Sequence, residues 1–462
     1  MAARQPLAAL IVDNPLRDLD GLVLLAATLA RRGVRSALVP MYEQGFDIPA
    51  LQPDVVVANY VRANNRDLVA RYRELGSRIV VLDSEGAAGR SAQDYARLVA
   101  RMEPGALVDD YCVWGRSRYE ALLATNALPR EQVHLTGCPR YDFCAAPWSA
   151  ALPATSVPAG FILVNTNFPL PNPRFAANAE QERRTLQRIW ADQAYVDAVY
   201  RDARTAFEGM LRSIEALAQR FSSTPMVVRP HPFESNVPYE KLRHPGNLQV
   251  RQEGTSLQWI HASSVLVHQN CTTALEAAML GREPLSLEWL STDALRLPGP
   301  SAVSHAMASQ DQLQGTLERL MAGGTLSVDP QLSKARQDAI EEFFLRNDGR
   351  ASERVADVIV AALARPAGTR APVRRAARSV VVDLARDVVG YRALQGWRRR
   401  TGGDLETRRR AAKAFEPDAV QEILQRLARA GSGAAKVAPI TSDLIARPRR
   451  YSGKSLQIVA AA

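Results

Sequence analysis

Met226-Val227-Val228-Arg229-Pro230-His231-Pro232 and, further along, Val265-Leu266-Val267-His268-Gln269-Asn270-Cys271-Thr272-Thr273-Ala274-Leu275-Glu276 decide how this chain is read. Each begins as an unbroken apolar run, the pattern of a strand buried on both faces. Each run ends in polar residues, and the second then opens a helix. In an open parallel sheet, ligands bind beyond the carboxyl ends of the strands. A cation, an imidazole and two hydroxyls placed there suit a phosphate.

Working outward, the same alternation of strand and helix fills most of the chain. Upstream, strands are predicted at Leu7–Asp13, Arg35–Met41, Asp54–Tyr60, Arg78–Asp83, Asp110–Trp114 and Gln132–Gly137. Helical patterns lie between them, at Gly21–Arg32, Arg66–Leu75, Ala92–Met102 and Ser117–Asn126. Residues 145–160 hold three prolines and many small residues, the composition of a linker. A second unit follows, with strands at Phe161–Asn165, Met226–Arg229, Leu248–Arg251, Ser264–His268 and Glu283–Leu287. A long helical stretch runs from Glu180 to Phe221, and further helices are predicted at Ser256–His261, Thr272–Leu280, Ser309–Ala322 and Ser333–Leu345. Strict alternation implies α/β architecture with parallel, Rossmann-like sheets. The expected organisation is an N-terminal domain over 1–144, the linker over 145–160, a second domain over 161–364 and a basic helical tail over 365–462. The last 30 residues, rich in Gly, Ala, Ser and Pro, are expected to be loosely ordered.

Composition narrows the classes of function. The chain has 462 residues, 47% of them apolar and 23% charged, as in an ordinary globular protein. No apolar run reaches the ~18 residues that span a bilayer. The N-terminus leads straight into a strand-like run without the pattern of a signal peptide, so a cytoplasmic location is expected. Cys112, Cys138, Cys144 and Cys271 lack C-x-x-C spacing, which indicates neither a disulfide framework nor a zinc site. Residues 365–462 hold 21 Lys+Arg and 8 Asp+Glu, a net of +13 against +10 for the whole chain, so the first 364 residues carry −3. A basic tail on a nearly neutral body argues against nucleic acid as partner. It suits an anionic surface instead. Val380 to Trp397 has apolar residues at helical spacing and runs into Arg398-Arg399-Arg400, with Arg408-Arg409-Arg410 beyond. The apolar stripe is expected to pack on the N-terminal domain. The Arg clusters are expected to meet the inner-membrane surface.

Two Rossmann-like domains facing a cleft, with polar signatures at the strand ends of the second, is the plan of a GT-B glycosyltransferase. Arg229-Pro230-His231-Pro232 followed by Asn270-Cys271-Thr272-Thr273-Ala274-Leu275-Glu276-Ala277 resembles the bacterial surface carbohydrate biosynthesis family. That family is similar to capsule Kdo and sialic acid transferases and to CDP-glycerol glycerophosphotransferases. Asp83-Ser84-Glu85-Gly86 resembles the acidic motif of bacterial sialyltransferases, and Gly137-Cys138-Pro139-Arg140-Tyr141-Asp142 matches the G-x-P-R-x-D end of the group's N-terminal domain. The resemblance spans roughly the first 350 residues, an ordinary length for two domains. It implies a His-Pro motif and a paired Ser/Thr motif that hold the phosphate of a cytidine nucleotide. It implies a sugar, nonulosonic or ulosonic, carried by a CMP donor to a glycan acceptor that is lipid-linked. No separate cofactor is implied.

The residues support that chemistry in physical terms. Negative charge grows on a nucleotide leaving group, and donors aimed at it are the largest catalytic contribution available. His231 can donate to the phosphate, Arg229 can add charge, and Pro232 fixes the turn. Asn270, Thr272 and Thr273 sit where a helix begins and its first N–H groups are open. Glu276, one turn in, suits a ribose diol or a plain first-turn cap. Asp83 and Glu85 are the candidate bases for an acceptor hydroxyl, or a capping pair in a loop. Gly86 allows close backbone approach. Arg140, Asn165 and Asn167 are secondary candidates, and His268 and His261 suit local hydrogen bonding. No metal is expected, because no D-x-D ends a strand of the second domain. The rival readings are a CDP-polyol phosphotransferase, a UDP-N-acetylglucosamine 2-epimerase, whose Gly-Gly is here replaced by Thr272-Thr273, and a non-catalytic glycan-assembly protein.

Overall fold

The computed structural model describes residues 4–86, 91–176, 178–189, 192–366, 373–401 and 403–461. The chain forms two compact units, one of Met1–Ala151 with Glu341–Ala462 and one of Leu152–Ile340.

The first unit is built on an eight-stranded sheet. Its strands are β1 (Leu7–Val12), β2 (Arg35–Pro40), β3 (Val55–Ala58), β4 (Arg78–Leu82), β5 (Asp110–Val113) and β6 (Val133–Leu135), joined at one edge by β13 (Ala435–Ala438) and β14 (Leu456–Ala460). The second unit holds β7 (Ile162–Asn165), β8 (Met226–Arg229), β9 (Leu248–Val250), β10 (Val265–His268), β11 (Glu283–Leu287) and β12 (His305–Met307). Every residue of β1, β3, β7, β8 and β10 is buried, which is why these runs carry no polar alternation. Both units are Rossmann-like, the two-unit α/β plan expected of a GT-B fold.

Strand order sets where ligands can go. The first sheet runs β13-β14-β2-β1-β3-β4-β5-β6 and the second β12-β11-β10-β7-β8-β9. The second is the doubly wound order, and its connections reverse direction between β7 and β10. In the first sheet the reversal lies between β1 and β3. In open α/β sheets ligands bind beyond the carboxyl ends of the strands at such a reversal. In register, Asn165 of β7 stands beside Arg229 of β8 and His268 of β10.

The C-terminal part departs from expectation. β14 pairs antiparallel with β2, with Ile458 opposite Ser36, and β13 pairs with β14. Ser452 and Ser455 hydroxyls donate to buried Asp47 at 2.6 Å each. The last 30 residues are therefore part of the first sheet's edge, not a loose tail. Their small residues hide a strand because a sheet edge offers hydrogen bonds to any backbone that can lie flat. The expected boundary at 364 also shifts. The helix Ala351–Ala364 belongs to the first unit, its Ala351 and Ser352 amides donating to Asp142 at 2.7 Å each. The G-x-P-R-x-D aspartate is thus a cap for a helix some 200 residues away in sequence. Within the expected linker, Trp148 is buried and donates through Nε1 to Gly349 O at 2.8 Å, so residues up to Ala151 lie in the first unit. Residues 367–372, near the start of the expected tail, lie outside the described residues.

Candidate functional site

In the second unit, three strand ends lie side by side in the sheet order β8, β7, β10. His231 follows β8 by two residues. Its Nδ1 accepts from the Phe233 amide at 3.2 Å, so the proton of the neutral ring sits on Nε2. The turn is held by Glu234, which is fully buried and which the sequence reading passed over. Glu234 Oε1 accepts from Thr166 Oγ1 at 2.9 Å, the Phe168 amide at 2.9 Å and the His231 amide at 3.1 Å. Its Oε2 accepts from the Tyr239 hydroxyl at 2.5 Å. One carboxylate thereby ties the exit of β7 to the exit of β8 and sets where the His231 ring stands. The signal was present in His231-Pro232-Phe233-Glu234, a carboxylate three residues after the histidine.

Arg229 takes a different place from the one expected. Its Nη1 donates to Glu253 O at 2.7 Å and its Nη2 to Gly254 O at 2.5 Å. Burial pulls its pKa down to about 10. A buried guanidinium has to satisfy its donors, and these two carbonyls of the loop after β9 take them. Arg229 thus holds that loop and its forked donors are engaged away from a phosphate. Glu276 is buried as well and accepts from Ser256 Oγ at 2.6 Å.

Beyond β10 the loop adopts a strained turn. Asn270 lies at φ 55, the left-handed region that asparagine tolerates better than most residues. His268 anchors the turn: its Nδ1 accepts from the Cys271 amide at 3.4 Å and its Nε2 meets Ser304 Oγ at 2.8 Å. Ser304 Oγ donates to Pro300 O, so His268 is a neutral ring with its proton on Nε2. Burial alone pulls its pKa down to about 3. The expected helix start is short. Thr272 is an exposed cap whose side chain makes no capping bond, and the helix runs only Thr273–Met279. Thr273 Oγ1 accepts from Asn165 Nδ2 at 3.0 Å and donates to Cys271 Sγ at 3.0 Å. Asn270 Oδ1 accepts from the Leu297 amide at 2.7 Å. Two buried amide atoms at this reversal point lack a hydrogen-bond partner, Asn165 Oδ1 and Asn270 Nδ2. A buried, unpaired amide costs roughly 1–3 kcal/mol, a cost that a bound water or ligand at these atoms would remove. Asn167 follows the β7 end, half-buried.

The first unit's strand ends are built differently. Asp83 is buried and accepts from the Glu85 amide at 2.8 Å and from the Tyr95 and Tyr111 hydroxyls at 3.2 Å each. Burial pushes its carboxyl up, against the opposing pull of Arg62. Glu85 is the accessible carboxylate, 37% exposed, held at 2.8 Å by Arg62 and at 3.8 Å by Arg17. Gly86 is required by packing, since a Cβ there would lie 2.5 Å from the Trp114 ring. Asp13, at the end of β1, accepts from Lys413 at 2.9 Å and Arg17 at 3.1 Å. Burial pushes Asp13 up, but these two cations together outweigh it and hold the carboxyl below its usual range. The tail thus places a lysine on the first strand end.

A cavity of about 30 Å³ opens at the reversal between β1 and β3, lined among others by Asp18, Asn59, Asp83, Ser84 and Arg140. Asn59 is 3% exposed, and neither Oδ1 nor Nδ2 has a hydrogen-bond partner. It ends the Val55–Ala58 run, where the sequence reading treated it as one more strand residue. Arg140 stacks over the Tyr141 ring at 4.5 Å and the Trp114 ring at 5.3 Å. A larger cavity, about 400 Å³, lies over the end of β2, bounded by Tyr42, Glu43 and the tail residues Arg398, Arg410 and Lys413.

No protein-family model matches the chain, and no curated protein matches it either. Among solved structures it is similar to the UDP-GlcNAc 2-epimerase of Methanocaldococcus jannaschii in complex with UDP-GlcNAc and UDP, at 12% identity over 77% of this chain and 99% of that one, with a TM-score of 0.47. It is similar to the UDP-GlcNAc 2-epimerase of Neisseria meningitidis bound to UDP-GlcNAc, at 12% identity over 77% and 99%, TM-score 0.44. It is also similar to the wall teichoic acid polymerase TagF, at 12% identity over 78% and 88%, TM-score 0.46. The likeness is one of fold.

Proposed function

We propose that the chain is a glycosyltransferase of surface-glycan assembly, moving a nonulosonic or ulosonic acid from a CMP-activated donor to a growing, lipid-linked glycan. The observation that carries this is the donor set at the β7–β10 reversal. The Asn270 amide, the exposed Thr272 hydroxyl and the Nε2 proton of His231 belong to neighbouring strand ends. Such donors stabilise charge that develops on a departing nucleotide phosphate. Glu234 and His268 hold two of the three turns in place, so little reorganisation is needed when the nucleotide binds.

In the first unit, Glu85 is assigned the acceptor hydroxyl, because it is accessible and oriented by Arg62. Asp83 is its support: a carboxylate that already accepts three hydrogen bonds in the interior is poorly suited to take a substrate proton. A glycan end needs room, and the 400 Å³ cavity over β2 falls in the ordinary range for ligand pockets.

Calorimetry of the full chain against CMP, CDP and UDP tests the nucleotide. Preference for CMP supports the proposal. Preference for CDP would move the reading to polyol-phosphate transfer, preference for UDP to sugar epimerisation, and absence of binding to a non-catalytic role.

A further inference from the structure

The helix Ala377–Val389 is turned the opposite way from an ordinary amphipathic helix. Its inward side is ionic. Asp383, 4% exposed, pairs with Arg71 at 2.7 Å, with Arg375 at 3.1 Å and with Arg450. Asp387 pairs with Arg450 at 2.6 Å and Arg447 at 2.9 Å. Arg386 stacks over the Phe46 ring at 5.2 Å. The outward side is apolar. Nine of the helix's 13 residues are exposed and eight of those nine are Val, Leu or Ala, so the apolar arc covers more than half the circumference. Val381, Leu384 and Val388 are 65%, 63% and 69% exposed, and Trp397 on the following helix is 63% exposed. This overturns the expectation that the stripe packs on the N-terminal domain. The buried arginines and aspartates pair with one another, so the ionic side could be placed inward and the valines were left outside.

Contiguous exposed apolar surface of this kind marks an interaction site. An interhelical seam would use about two positions in seven, a narrower stripe than this one. Cations border it: Arg374, Arg378, Arg392 and Arg400 are exposed, in a segment whose net charge from residue 365 onward is +13. Thirteen residues rise only ~20 Å, too short to cross a bilayer and suited to lying in its interface. We propose that the helix Ala377–Val389 docks the chain on an anionic lipid bilayer, its Val381-Leu384-Val388 face among the acyl chains and the flanking arginines on the headgroups. The inference stands on this surface and does not depend on the donor chemistry.

The test is flotation of the full-length protein with vesicles of phosphatidylcholine alone and of phosphatidylcholine with phosphatidylglycerol. Flotation is expected with the anionic vesicles. A Val381→Gln, Leu384→Gln, Val388→Gln triple variant is expected to partition at least about tenfold more weakly, since three apolar contacts are lost. Its thermal midpoint and its nucleotide binding, measured on the same sample, are expected to match the parent, which separates this test from that of the donor site. Absence of flotation by the parent would overturn the proposal. So would equal flotation of parent and triple variant, which would leave charge alone as the attraction. A parent that sediments as a dimer, becomes monomeric on triple substitution and does not float would overturn it too, with a second copy as the occupant.

Discussion

At the end of β4 the carboxylate of Asp83 accepts hydrogen bonds from one amide and two tyrosines, whereas at the end of β10 the amide of Asn270 has Nδ2 buried without a partner. The two sheets share a topology rule and place polar residues at equivalent points, yet they use them differently. In the first unit the carboxylates are enclosed by Tyr95, Tyr111, Arg62, Arg17 and Lys413, and a single one, Glu85, faces outward. In the second, buried carboxylates hold the loops, and the strand ends carry neutral amide, hydroxyl and imidazole groups. Under the proposed function an anion needs donors held by something other than itself, and Glu234 and His268, which fix the turns after β8 and β10, supply that support. Under the proposed function a base for a hydroxyl needs one accessible carboxylate on a fixed support, and Glu85 beside Asp83 has that arrangement.

Substitutions at one candidate of each set should break this comparison most sharply. His231→Ala is expected to lower turnover of a CMP-sugar by about a hundredfold or more, the usual contribution of a positioned proton donor. An initial-rate assay that gives the parent rate would remove His231 from the chemistry. Next in size is the contrast within the first unit. Glu85→Gln should lower turnover by about a hundredfold with an unchanged denaturant midpoint. Asp83→Asn should instead cost about 1–3 kcal/mol of stability, because it sets an amide donor against the two tyrosine hydroxyls or leaves them unpaired. If Asp83→Asn spares stability and alone abolishes turnover, the roles of the two carboxylates are exchanged.

A smaller effect sharpens the second unit's side. Asn270→Gly preserves the left-handed backbone at φ 55 while removing the amide. Nucleotide affinity is expected to fall by about tenfold, the worth of one good hydrogen bond. Undiminished affinity by calorimetry would show that the unpaired Nδ2 does not face the nucleotide. The least effect at neutral pH comes from His268, whose folded pKa of about 3 lies below its ordinary value through burial. The unfolded chain therefore takes up this proton first as pH falls. The stability that a neutral His268 contributes is fully present above about pH 6.5 and is lost at about 1.4 kcal/mol per pH unit below it, toward pH 3. His268→Gln should show a shallower acid limb over that window in denaturant titrations. Parallel limbs would mean that other groups control acid unfolding.

Much of the fold was legible because the central strands are local statements. Leu7–Val12, Met226–Arg229 and Glu283–Leu287 coincide with expectation to within a residue, since a strand covered on both faces is mostly apolar. Strands at and next to a sheet edge escape that rule. The edge strands β12 and β13 and the neighbouring β14 are half-exposed or short, and their existence depends on the strands they pair with. The candidate residues at the strand ends were legible for the same reason that the strands were, because polarity at the end of an apolar run marks the carboxyl edge. Their roles were not. Arg229 and His231 stand two residues apart, and only the carbonyls of Glu253 and Gly254 explain why the arginine's donors are engaged in the loop after β9. Asn59 looked like a strand residue until the sheet order placed it at a reversal.

The sequence by itself determined the alternation of strand and helix, the positions where each buried strand gives way to polar residues, and the amphipathic period of Ala377–Val389. Those follow from nearest-neighbour patterns that every fold of this chain would have to respect. Only the tertiary structure decided which polar atoms were already satisfied and which side of that helix faces in. Both depend on partners far along the chain, Tyr95 and Tyr111 for Asp83, and Arg71 and Arg450 for Asp383. An amphipathic period states that a helix has two faces. The burial of an ion-pair network decides which of them water, or lipid, will meet.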